Sequence, residues 1–339
     1  MKSGIGRPGI RCAPSGLRFA GALAAFATIG APSDVAAQNY PSRPLRVVVG
    51  TSAGGGGDVI ARVVGGGLTP LLGQQVTIDN RPGAASNIAA EIVAKSPADG
   101  HTVFLVSITH AVNVNLYRNL PFDLMRDFAA VTQLASAPQM IVVHPSVPVK
   151  TLAELVKLAK AKPGALNYSS AGAGTSTFLA AELFKARAGI NLVHVAYRGG
   201  GAALTAAVAG ESPVYFGPVA SSLPLARSGR LRALAVTSAQ RIALLPELPT
   251  AAELGYAGYQ CGNWYGFMLP AKTPRDIVMA LHKATLVALA NAEIKRRLDE
   301  LGYQIVGDQP EAFAAFIKSE IDDLARLVKS LNLKADAQD

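Results

Sequence analysis

"TSAGGGGDVIARVV", residues 51–64, follows the run Leu45–Val49, apolar but for Arg46. It leads into a segment that puts Val59, Ile60, Val63, Val64, Leu68 and Leu71 on one helical face. Four glycines between a strand and a helix imply a backbone that something approaches closely. A dinucleotide would need G-x-G-x-x-G here, but the third position is Val59 counted from Gly54 and Ile60 counted from Gly55. A Walker loop would end Gly-Lys-Ser/Thr, whereas this one ends Gly57-Asp58. Two readings survive. One is a tight strand-to-helix connection; the other is a helix N-terminus whose backbone N–H groups and dipole favour an anion. Asp58 is placed to cap that helix.

Outward from this stretch, short apolar or β-branched runs alternate with helical patterns, which predicts an α/β fold with largely parallel strands. Strands are expected at 46–49, 76–79, 102–107, 139–144, 166–170, 192–197, 213–217, 231–237 and 303–306. Helices are expected at 58–72, 151–161, 175–188, 274–290 and 310–331. No repeat, heptad array or disordered linker interrupts the pattern. Two domains without a linker must exchange the chain through strands, and Ala135–Met140 and Cys261–Leu269 suit such crossings. A double crossover makes a hinge beside a cleft.

Residues 1–37 read as a cleaved secretory signal. Lys2, Arg7, Arg11 and Arg18 form a basic start, Phe19–Ala31 is an apolar run, and Val35-Ala36-Ala37 offers small residues for cleavage. That run is shorter than the roughly 20 residues a membrane span requires. Of 339 residues 302 then remain, enough for two domains, in a compartment outside the cytoplasm. Cys12 leaves with the signal and Cys261 stays alone, so neither an internal disulfide nor a Cys-ligated metal is expected. Net charge falls from +9 to +6 with the loss of four basic residues and Asp34. The basic residues are dispersed, without the aromatic-interleaved stripe of a nucleic-acid binder. A mild positive field suits small anions and also ordinary solubility.

A second small-residue loop, Ser169-Ser170-Ala171-Gly172-Ala173-Gly174-Thr175-Ser176, also follows a strand and precedes a helix. Thr175 or Ser176 is expected as its cap. A third cluster, Tyr197-Arg198-Gly199-Gly200-Gly201, adds an arginine. The five histidines show no metal-ligand spacing, and no G-x-S-x-G elbow is present. Thr109-His110 sits at a strand end, either as a turn or lining a cleft. Trp264-Tyr265 either packs a hinge or walls a pocket. No metal and no cofactor are expected.

In order along the chain, "RPLRVVVGTSAGGGGDVIAR", "IDNRPGAASNIAAEIVAKSPADGHTVFLV", "LNYSSAGAGTSTFLAAELFK", "VHVAYRGGGAALTAAVAG", "GRLRALAVTS", "LPELPTAAELGY" and "NWYGFMLPAKTP" resemble the Bug-type periplasmic solute-binding receptors of tripartite tricarboxylate transporters. The resemblance spans about Tyr40 to about Lys329. It implies a two-lobed periplasmic binding protein of the type II, Venus-flytrap kind. Lobe 1 would comprise residues 38–140 with 264–339, and lobe 2 residues 141–263. It implies a non-catalytic, monomeric receptor that closes on a small carboxylate and delivers it to membrane transporter subunits. Carried onto this chain, one arm of the pincer is Ser52, Ala53, Gly54 and Gly55, and the other is Ala171, Gly172, Thr175 and Ser176. Ser107, Thr109, His110, Tyr197 and Arg198 would help to line the cleft. Where many relatives carry an Asp suited to an ammonium, this chain has Gly217, which implies a ligand without a positive group. The competing readings are an exported α/β enzyme using His110 as base and a sensory partner with the same fold.

Overall fold

The computed structural model describes residues 40–333, so the signal expected at 1–37 lies outside the described residues. Strands β1 (Leu45–Val49), β2 (Val76–Asn80) and β3 (Thr102–Ser107) pair in parallel, β1 in the middle. Helix α1 (Gly56–Leu72) connects β1 to β2, and α2 (Asn87–Ala94) connects β2 to β3. Helix α3 (Ile108–Leu116) then leads to β4 (Phe128–Val143), a strand of 16 residues.

A second parallel group follows, made of β5 (Asn167–Ser170), β6 (Val193–Ala196) and β7 (Val214–Pro218), with β5 central. Helices α4 (Leu152–Ala161), α5 (Ser176–Ala188), α6 (Gly200–Ala209) and α7 (Val219–Arg227) alternate with these strands, and β8 (Arg232–Val236) closes the group. The chain returns through β9 (Gly262–Pro270) and finishes with α8 (Arg275–Ala290), α9 (Ala292–Glu300), β10 (Gln304–Ile305) and α10 (Pro310–Ser330). The sheet order is β2-β1-β3-β9-β4-β7-β5-β6, with β8 and β10 each paired to β4.

β4 holds the two groups together because it changes partner along its length. Phe128–Pro138 pairs with β9, and Gln139–Val143 pairs with β7. The chain therefore passes between the sheet sections twice, inside β4 at 138–139 and on entering β9, where Pro138 lies opposite Gly262. Proline has no N–H to give to the ladder, so hydrogen bonding thins at this point. Thr237 pins the spot: its Oγ1 accepts the Gln139 N–H at 2.8 Å, and its carbonyl accepts the Cys261 N–H at 3.1 Å.

The sequence predicts a strand only over the last third of β4. Its first part, Phe128–Ala137, is mostly buried and lacks the polar alternation that marks a half-exposed strand. The core is shared across both sections, since one cluster joins Val48 and Phe104 to Ile141, Tyr168 and Phe216. Asp58 does not cap α1. Gly55 occupies the cap position, and Asp58 sits inside the first turn, where its carboxylate accepts the Gly54 N–H at 3.0 Å and pairs with Arg62 at 2.8 Å. Burial opposes its ionisation, but Arg62 and the Gly54 amide outweigh it and hold the carboxyl below its usual range. Thr175 does cap α5, with Oγ1 accepting the Phe178 N–H at 3.4 Å.

Candidate functional site

In open α/β sheets the strands hand over to helices at one edge, and ligand crevices form there. Here that edge closes around a cavity at the junction of the two sheet sections. Six helices begin at its wall: α1 at Gly56, α2 after Ser86, α3 after Ser107, α5 after Thr175, α6 after Gly199 and α7 after Pro218. A helix N-terminus carries the equivalent of roughly half a positive charge. None of the lining residues is Asp, Glu, Lys, Arg or His. At the wall itself the positive ends of backbone dipoles therefore dominate, and their sign attracts anions.

The hydroxyls reinforce that sign. Asn263 Nδ2 donates to Ser176 Oγ at 3.2 Å and to Tyr265 OH at 2.8 Å, and the Ser176 N–H donates to Thr109 Oγ1 at 3.2 Å. Each of these three oxygens thus has an acceptor site occupied and keeps its own O–H hydrogen to offer. All three residues, with Asn263, line the cavity and are at most 5% exposed. The result is a surface of donors. Burial pushes the Tyr265 phenol well above its ordinary pKa, so it stays a neutral donor.

Close approach explains several of the glycines. A Cβ on Gly56 would stand 2.8 Å from Pro218 Cγ and 2.5 Å from Tyr265 OH. A Cβ on Gly201 would meet the Ala53 carbonyl at 2.4 Å, and the Gly201 N–H instead donates to Ser52 Oγ at 3.1 Å. Gly54 at φ +78° is the one member of the 54–57 run whose backbone favours glycine. What comes close to the glycine-rich turn is the other sheet section. With the sections in contact, the cavity is small, about 30 Å³. A space of that size holds ordered water and not a dicarboxylate.

Of the residues singled out from sequence, Ser107, Thr109, Ala171, Thr175 and Ser176 line the cavity. Ser52 and Ala53 make the contact with Gly201. Gly55 is the cap residue of α1, and Gly54 and Gly172 shape their loops without lining the space. Tyr197 OH meets Ser212 Oγ at 3.2 Å, Arg198 is exposed, and Gly217 lies against the Tyr215 ring. His110 is buried at 1% exposure outside the lining, with Nδ1 accepting the Ser107 N–H at 3.0 Å. Burial lowers its pKa to about 4, so it is neutral and sealed from the cavity.

Sequence reasoning did not single out Ser86, Thr177, Tyr215 or Asn263 for the site. Ser86 arrives through a turn in which Ala84, Ala85 and Ser86 all have positive φ, a conformation no alanine announces. Asn263 and Tyr265 were legible in principle: alternation along β9 puts 263 and 265 on one face and Trp264 on the other. Trp264 turns away and donates Nε1–H to Glu320 at 2.9 Å.

A sequence profile described as Tripartite tricarboxylate transporter family receptor, TctC, matches residues 60–333. BugT of Bordetella pertussis is 32% identical over 311 residues, covering 91% of this chain and 95% of its own. Among solved structures, R. palustris Rpa4515 with adipate superposes at a TM-score of 0.85 with 33% identity, covering 87% of this chain and 99% of that one. MatC from Rhodopseudomonas palustris with bound malate superposes at 0.82 with 29% identity, covering 85% and 100%. The mixed α/β architecture is that of the periplasmic binding proteins, and this chain belongs to the TctC family of tripartite tricarboxylate transporter receptors.

Proposed function

We propose that this protein is a periplasmic receptor that captures a small carboxylate lacking an ammonium group and passes it to a tripartite tricarboxylate-type membrane transporter. It acts as a monomer, without chemistry on the ligand. Residues 38–140 with 264–339 form one lobe and 141–263 the other, and the exchange of sheet partners at 138–139 supports that division. The observation that carries the reading is the cavity wall: six helix N-termini and three donor hydroxyls converge on it, and no charged side chain does. Such a wall rewards a carboxylate. An ammonium would meet donors and positive dipole ends, and burying it unpaired costs several kcal/mol. The adipate and malate of the two R. palustris structures supply the chemistry to try first.

The test is calorimetric titration of adipate, malate, aspartate and glutamate into the protein. Adipate or malate should bind, with aspartate and glutamate at least tenfold weaker than the better of the two. Heat from an α-amino acid with both simple acids silent would overturn the reading.

A further inference from the structure

We infer that Tyr215 is a specificity-determining residue of this cavity, and that its ring sets the length of acid accepted. The inference rests on the carboxylate reading above. Tyr215 and Gly217 are two apart in β7 and share a face of the sheet. Glycine inside a strand weakens it and marks a close approach. Gly217 pairs with Met140 in mid-ladder, and its φ lies outside the range that favours glycine, so conformation does not explain it. Space does. A Cβ on Gly217 would sit 1.9 Å from Tyr215 Cε1 and 2.4 Å from Cζ.

The ring that lies over Gly217 is fixed. Tyr215 is 1% exposed and packs among Met140, Val142, Ala203 and Val219. Its hydroxyl end reaches the cavity wall, where the nearest partner is the Gly200 carbonyl at 3.5 Å. The phenol therefore takes the volume that a side chain at 217 would occupy and forms the wall of the space there. Shortening it lengthens the cavity; a side chain at 217 drives the ring out of place.

The test titrates succinate, glutarate, adipate and suberate into the wild type, Tyr215→Leu and Gly217→Ala. Tyr215→Leu should favour the longer acids, raising the adipate-to-succinate or suberate-to-adipate affinity ratio at least tenfold. Gly217→Ala should weaken every acid that the wild type binds. Should Tyr215→Leu fail to fold, Tyr215→Met retains an apolar stem in the same packing and is read in the same way. Wild-type binding with the ratios unchanged in the shortened variant would overturn this inference alone, since a purely structural loss weakens all acids alike. No binding of any acid by the wild type would overturn the carboxylate reading and this inference with it.

Discussion

Asn263 decides which way the hydroxyls of the cavity face. Its Nδ2 serves Ser176 from one sheet section and Tyr265 from the other, so one amide fixes two donors. Asn263→Asp keeps the shape and inverts the polarity: a carboxylate accepts both hydroxyl hydrogens and adds a like charge beside the ligand. Each hydrogen bond to a charged group contributes about 1.5–3 kcal/mol, so the variant should lose at least a hundredfold in adipate affinity at pH 7.5. Acid should restore part of it. Protonation removes the charge and returns one donor, so the ratio of variant to wild-type affinity should rise between pH 7.5 and pH 5. Calorimetry at both values decides, and a ratio flat with pH would contradict this role. The residue itself was hidden in plain view in the sequence: Trp264 drew attention to the segment, yet the neighbours on either side of it face the cavity.

Helix α1 shows how an element can be legible while its purpose is not. Its apolar face and its glycine-rich entry are plain in the sequence, because periodicity and small residues are local properties. What the glycines accommodate is not local, since Pro218 lies 162 positions further along and Tyr265 further still. Both glycine-rich loops were readable for the same reason, whereas the first two thirds of β4 were not, because burial on both faces erases the alternation that identifies a strand. Gly56→Ala separates the two roles of α1. At the first position of α1 alanine's preference over glycine counts for little, and the Tyr265 ring must shift to admit the methyl, so the melting temperature should fall slightly. A methyl at 56 keeps Pro218 and Tyr265 at a distance, so adipate affinity should fall at least tenfold. Unchanged affinity would show that Gly56 and Pro218 need not meet for binding.

At the scale of the whole molecule, the space between the sheet sections has a consequence for time rather than for affinity. A chamber of about 30 Å³ holds no acid of adipate's length as it stands, and an acid held between the sections leaves when they part about β4 and β9. Release is then a property of the protein: however weakly an acid is held, it cannot depart faster than the hinge swings, so the dissociation rates of unlike ligands should crowd beneath one ceiling. Domain opening of this kind runs on the microsecond-to-millisecond scale. Rapid-mixing displacement of a graded series of acids would expose the ceiling as a plateau, with affinities still diverging while off-rates no longer do. Off-rates that climb in step with Kd and never level would mean that the chamber leaks. Under such a ceiling, the membrane partner proposed above would speed delivery by levering the hinge, without competing for the acid at all.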